Sequence, residues 1–169
     1  MDNKPSKLNP ALLGGAVIAL LSAIPIVNFG NCFCCMWVIL GGLIATYLYQ
    51  KKLPEELPFP SSDGAVVGLL AGIFGALFGT LLHFFFLAVV GTLPARGVFE
   101  TVMEYSEEIP PEVEEFLEEL FAEGVVTPLL VFIHLFFSLI LDSVFGLIGG
   151  LIGVGVFKRK PVEEKKEAP

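Results

Sequence analysis

Four polar side chains sit inside otherwise apolar stretches and carry the most useful chemistry in the chain: His83, His134, Ser138 and Asp142. An imidazole near a carboxylate can pass a proton, hold an ion or close a hydrogen bond. A carboxylate in hydrocarbon is costly unless it is paired or protonated, so Asp142 is expected to face protein. Counting from the two helix ends that share a membrane face sets Asp142 level with Gly79 and Ser138 level with His83. That register predicts a His83–Asp142 contact, direct or through water, with His134 off to one side. A structural hydrogen-bond clamp and a proton- or ion-handling site are its two readings.

A second constellation is Cys32, Cys34 and Cys35, within Asn-Cys-Phe-Cys-Cys-Met-Trp. Cys32 and Cys35 have the C-x-x-C spacing of thiol–disulfide exchange. Packing of a tight hairpin, with or without a structural disulfide, is the plainer reading. Tetrahedral zinc wants four ligands, and both histidines are expected roughly ten residues deeper, so no metal site is assigned. Nucleotide loops, zinc-protease motifs and serine elbows are missing from the sequence. No catalytic residue is therefore assigned, and the sequence names no cofactor. The phenylalanine-rich stripes read as lipid-facing or core surface rather than as a pigment or quinone box.

These residues need elements to hold them, and composition says which kind. Of 169 residues, 54% are hydrophobic and only 17% charged, with mean hydropathy +0.78. An average soluble domain is about a quarter charged. The apolar residues fall in blocks, which predicts an all-α polytopic membrane protein with four spans, about 10–27, 32–50, 64–92 and 127–157. Each block is long enough, at about 1.5 Å per residue, to cross or nearly cross a hydrocarbon core. A basic start before 11–27 also fits a signal peptide, but no small-x-small cleavage site follows cleanly. Asn9-Pro10 and Thr127-Pro128 read as caps followed by first-turn prolines, and Ser61, Ser62 or Asp63 caps the third span. Tyr47 and Tyr49 are expected at the headgroups.

One domain, residues 1–160, precedes a charged tail at 161–169. Between spans three and four, residues 95–124 hold ten acids and one base, Arg96. There Val113, Phe116, Leu117, Leu120 and Phe121 recur at helical spacing, forming a short amphipathic acidic helix. Nine of the ten bases lie on the opposite face of a four-span arrangement: Lys4, Lys7, Lys51, Lys52, Lys158, Arg159, Lys160, Lys165 and Lys166. The positive-inside rule then puts both termini in the cytoplasm and 95–124 outside.

At 100° per residue, Gly68, Gly72, Gly75 and Gly79 share one face of span three. Gly146, Gly149 and Gly153 share one face of span four, and Asp142 lies on it. Small residues let backbones approach closely in lipid, so spans three and four are expected to pack along these seams. Self-association through one seam is the alternative.

The C-x-x-C at the outer end of span two resembles that of four-helix quinone-coupled disulfide oxidoreductases. Those proteins use a second cysteine pair, and residues 95–124 contain no cysteine. The hairpin LLSAIPIVNFGNCFCCMWVILGGLIATYLY and the ending FGLIGGLIGVGVFKRK resemble small bacterial four-helix inner-membrane proteins of unknown function. That resemblance implies a bacterial inner membrane and no particular activity. The expected role is an accessory, scaffolding or assembly subunit, not an enzyme. A small transporter or channel using His83, His134 and Asp142 comes second, and membrane thiol redox chemistry third. Expected partners are membrane lipids, other membrane subunits or a second copy, and a basic protein docking on the acidic outer surface. Nucleic acid is not expected for so acidic a membrane chain.

Overall fold

Backbone chemistry sets where each helix of this computed structural model begins. It describes residues 4–24, 31, 35–90, 110 and 128–157, with the side chains of 87–90 excepted. The described residues form four α-helices and no strand, in agreement with an all-α chain. The first, α1 (Leu8–Ala23), starts before Asn9-Pro10 rather than after it. The Leu8 N–H donates to Ser6 Oγ at 3.3 Å. Pro10 then sits in the first turn, where a missing N–H sacrifices no helical bond. The second, α2 (Met36–Lys52), starts four residues later than expected. Cys35 before it is left-handed, with φ 52 and ψ 43, so no right-handed helix runs through it. An L-residue pays roughly 1–2 kcal/mol for that conformation.

At its far end α2 closes when the Leu53 N–H donates to Tyr49 and Gln50 carbonyls, at 3.1 and 3.2 Å. The third helix, α3 (Ser61–Val90), begins directly after Pro60, with Asp63 in its first turn. A carboxylate there meets the positive end of the helix dipole. The fourth, α4 (Pro128–Val156), has its proline at the first helical position, as expected. Residues 1–3, 25–30, 32–34, 91–109, 111–127 and 158–169 lie outside the described residues, and with them Cys32, Cys34, the acidic segment 95–124 and the charged tail.

Helix α1 packs between α2 and α3, and α4 packs between the same two helices from the other side. The core is made of Ile18, Val38, Ala45, Tyr49, Leu53, Val67 and Ala71. Tyr49 is a correction to the headgroup expectation. It is fully buried and lies 6.1 Å from the Phe59 ring, whereas Tyr47 is exposed beside Phe157 at 5.0 Å. Two residues apart on a helix point in nearly opposite directions, so both tyrosines cannot reach one interface.

Two helices are long and apolar enough to cross a membrane: α3, through its 61–86 stretch, and α4. Only 6% of the apolar window of α4 is buried, which is not how a soluble core helix behaves. Leu129, Phe132, Phe136, Phe137, Ile140 and Val144 all stand exposed along it.

Candidate functional site

The half of the bundle where α3 begins and α4 ends is an interlock of glycine backbones. A Cβ on Gly64 would strike Val154 and come within 2.9 Å of the Gly150 carbonyl oxygen. One on Gly68 would strike the Gly146 carbonyl and lie 2.7 Å from the Gly150 Cα. One on Gly72 would strike the Asp142 carbonyl oxygen and lie 2.9 Å from the Ser143 Cα. Residues spaced by four on α3 thus descend against residues spaced by four on α4, in an antiparallel register of 64 with 150, 68 with 146 and 72 with 142.

The other seam glycines serve different neighbours. A Cβ on Gly75 would lie 2.8 Å from the Ile18 side chain of α1, and one on Gly79 would lie 4.0 Å from the Ala19 Cα of α1. A Cβ on Gly149 would strike the Ile39 backbone of α2, and one on Gly153 would lie 2.9 Å from the Thr46 side chain of α2. Gly146 touches α3 and also receives Gly42 of α2. A helix in a four-helix bundle has two neighbours, so its small face is divided between them. Gly64 and Gly150, which the seam argument omits, complete the α3–α4 contact; their four-residue spacing from Gly68 and Gly146 is the signal for them.

This register moves the polar residues. Asp142 lies level with Gly72, not Gly79, so His83 is eleven residues further along α3, roughly 16 Å away at helical rise. The expected His83–Asp142 pairing is therefore corrected: the structure separates them. Counting from helix ends assumed that the ends lie level, but backbone interlock decides the register. His83 instead meets His134. Their rings are stacked, with centres 4.8 Å apart and planes 8° from parallel. Phe84 sets its edge against both, at 5.2 and 5.6 Å. His83 is exposed and His134 half-buried. No protein-family model, curated protein or solved structure matches this chain. The site must be read from its own geometry.

Ser138 is half-buried on α4, about one turn from His134 and one from Asp142. Asp142 is also half-buried, and it makes no hydrogen bond or ion pair with a described residue. Thr80, one turn below His83 on α3, buries its hydroxyl with no hydrogen-bond partner among the described residues. Of the cysteines, Cys35 is half-buried and packs on the core.

At the opposite end of the bundle lies a polar cluster that sequence reasoning missed. Lys4 and Lys7 both donate to the buried Asp63 carboxylate, at 2.9 and 2.6 Å. Beside it lies the buried Tyr49 hydroxyl, next to the Asp63 carboxylate but without a hydrogen bond of good geometry to any described residue. The cluster ties the segment before α1 to the start of α3. Two bases spaced by three residues ahead of a capping aspartate were the available signal, but the partners are more than fifty positions apart.

Proposed function

We propose that this chain is a four-span integral protein of a bacterial inner membrane, with both termini cytoplasmic, acting as an accessory, scaffolding or assembly subunit. The observation that carries the reading is the division of labour within α3 and α4. Their inner faces are filled by backbone touching backbone, while α4 turns a nearly continuous apolar surface outward. Backbones in van der Waals contact leave no width for a solute along that seam. A large exposed apolar face needs lipid or another subunit to cover it.

The four-span reading asks more of α1 and α2. With 16 and 17 residues they are roughly 24 and 25 Å long, against a hydrocarbon thickness of about 30 Å. Adjoining residues or local bilayer thinning make up the difference. The orientation follows from the bases, nine of ten on one face.

Purification of the full chain from native membranes in mild detergent tests the role. A stoichiometric membrane partner is the expected result, and a monodisperse species containing only this chain would sink the subunit reading. A small transporter or channel is the second reading. It is favoured by Asp142, a mid-helix carboxylate with no protein partner among the described residues. Solute uptake into vesicles holding the purified chain, lost on Asp142→Asn, would favour it.

A further inference from the structure

The chain contains two histidines, and the fold stacks one on the other. They come from different helices, 51 positions apart, and nothing local brings them together. Each neutral imidazole carries one N–H donor and one lone pair. Neither makes a hydrogen bond with a described residue, although His134 is half-buried among aromatic rings. We propose that His83 and His134 form a binding site for a divalent late first-row metal ion of the zinc and copper class, which clamps the outer ends of α3 and α4.

Separation is the first argument. A zinc–nitrogen bond is about 2.05 Å and a ring centre lies about 1.1 Å behind its nitrogen, so two imidazoles on one tetrahedral ion have centres roughly 5.1 Å apart. Two at a right angle on one ion have centres roughly 4.5 Å apart. The observed 4.8 Å falls between these values. The ring-centre separation therefore already matches that of two imidazoles on a shared ion. The parallel planes need to turn about their Cβ–Cγ bonds, which pass close to the ring centres and leave the separation nearly unchanged.

Chemistry is the second argument. Imidazole nitrogen suits zinc, copper and nickel and is a poor ligand for calcium or magnesium. One ion accepts both lone pairs at once and leaves each N–H free for water or a hydroxyl. No group of three or more histidine, cysteine, aspartate or glutamate side chains is assembled for a metal among the described residues. Water completes the coordination, so the affinity is modest and the ion exchangeable.

The test is zinc chloride titration by calorimetry into the full chain in detergent, with any affinity tag removed. His83→Gln and His134→Gln, which keep side-chain volume and polarity, are run in parallel. Cysteine-bound zinc is common to all three proteins and subtracts. The expected result is one histidine-dependent zinc per chain, weakened at least tenfold by either substitution. Thermal unfolding of the unsubstituted protein alone shifts upward with zinc. Copper(II) added instead should give an electron paramagnetic resonance spectrum with two imidazole nitrogens, reduced to one in each variant. Equal zinc uptake in the original protein and either variant, with helical circular dichroism intact, would overturn the site and leave the stack as a packing contact.

Discussion

Gly72→Ala puts the glycine interlock to a direct test. The added methyl group would strike the Asp142 carbonyl oxygen and lie 2.5 Å from its carbonyl carbon and 2.9 Å from the Ser143 Cα. All three are backbone atoms of α4, so no flexible side chain can move aside. Restoring ordinary contact requires the helices to part by about 1 Å, which forfeits a quarter to a half of each contact's dispersion energy. With on the order of 40 atom pairs along the seam at 0.1–0.2 kcal/mol each, the loss is about 1–4 kcal/mol. Alanine returns up to about 1 kcal/mol of helix propensity over glycine. The net expectation is a destabilisation of up to about 3 kcal/mol, and about 1–4 kcal/mol relative to an alanine that gains propensity without the clash. Gly155→Ala is the control, because nothing lies within 4 Å of its added carbon. Only the propensity gain acts there, so that variant should be as stable as the original or more so. Thermal or denaturant unfolding in detergent, followed by circular dichroism, reads both. If Gly72→Ala proves as stable as Gly155→Ala, the α3–α4 backbone contact is not the close one described.

Asp142→Asn should leave stability unchanged or raise it, since the carboxylate has no partner to lose among the described residues; a fall of more than about 1 kcal/mol would reveal one elsewhere. Tyr49→Phe removes a buried hydroxyl that lies beside the Asp63 carboxylate without a well-formed hydrogen bond among the described residues, so unfolding should shift by no more than about 1 kcal/mol. A clear loss would place a hydrogen bond at that hydroxyl. Asp63→Asn should release the N-terminal lysines, costing about 1 kcal/mol because both are partly exposed to solvent. Limited trypsin digestion after Lys7 should then run faster than in the original protein, and an unchanged rate would argue against the tie.

Sequence legibility tracked the range of the physics involved. Helix number and approximate extent could be read because they depend on block hydrophobicity and local breakers: Pro128 at a first turn, Pro54 after an end, Pro60 before a start. The start of α2 could not, because the left-handed turn at Cys35 is an L-residue adopting a conformation its type does not announce. Gly68, Gly72 and Gly146 lie where a seam between spans three and four requires. Gly75, Gly79, Gly149 and Gly153 face α1 and α2 instead, since periodicity gives a face but not which neighbour fills it.

By itself, then, the sequence determined an all-helical, apolar, glycine-rich chain with its bases and acids segregated, and it picked out His83, His134, Ser138 and Asp142 as misplaced polarity. Tertiary structure decided how far one helix slides along another. That offset is set by which backbone atoms interlock, a contact between residues about seventy to eighty-five positions apart that no local pattern encodes. A shift of about two turns was enough to exchange an expected histidine–carboxylate pair for two stacked imidazoles, and so to exchange one chemistry for another.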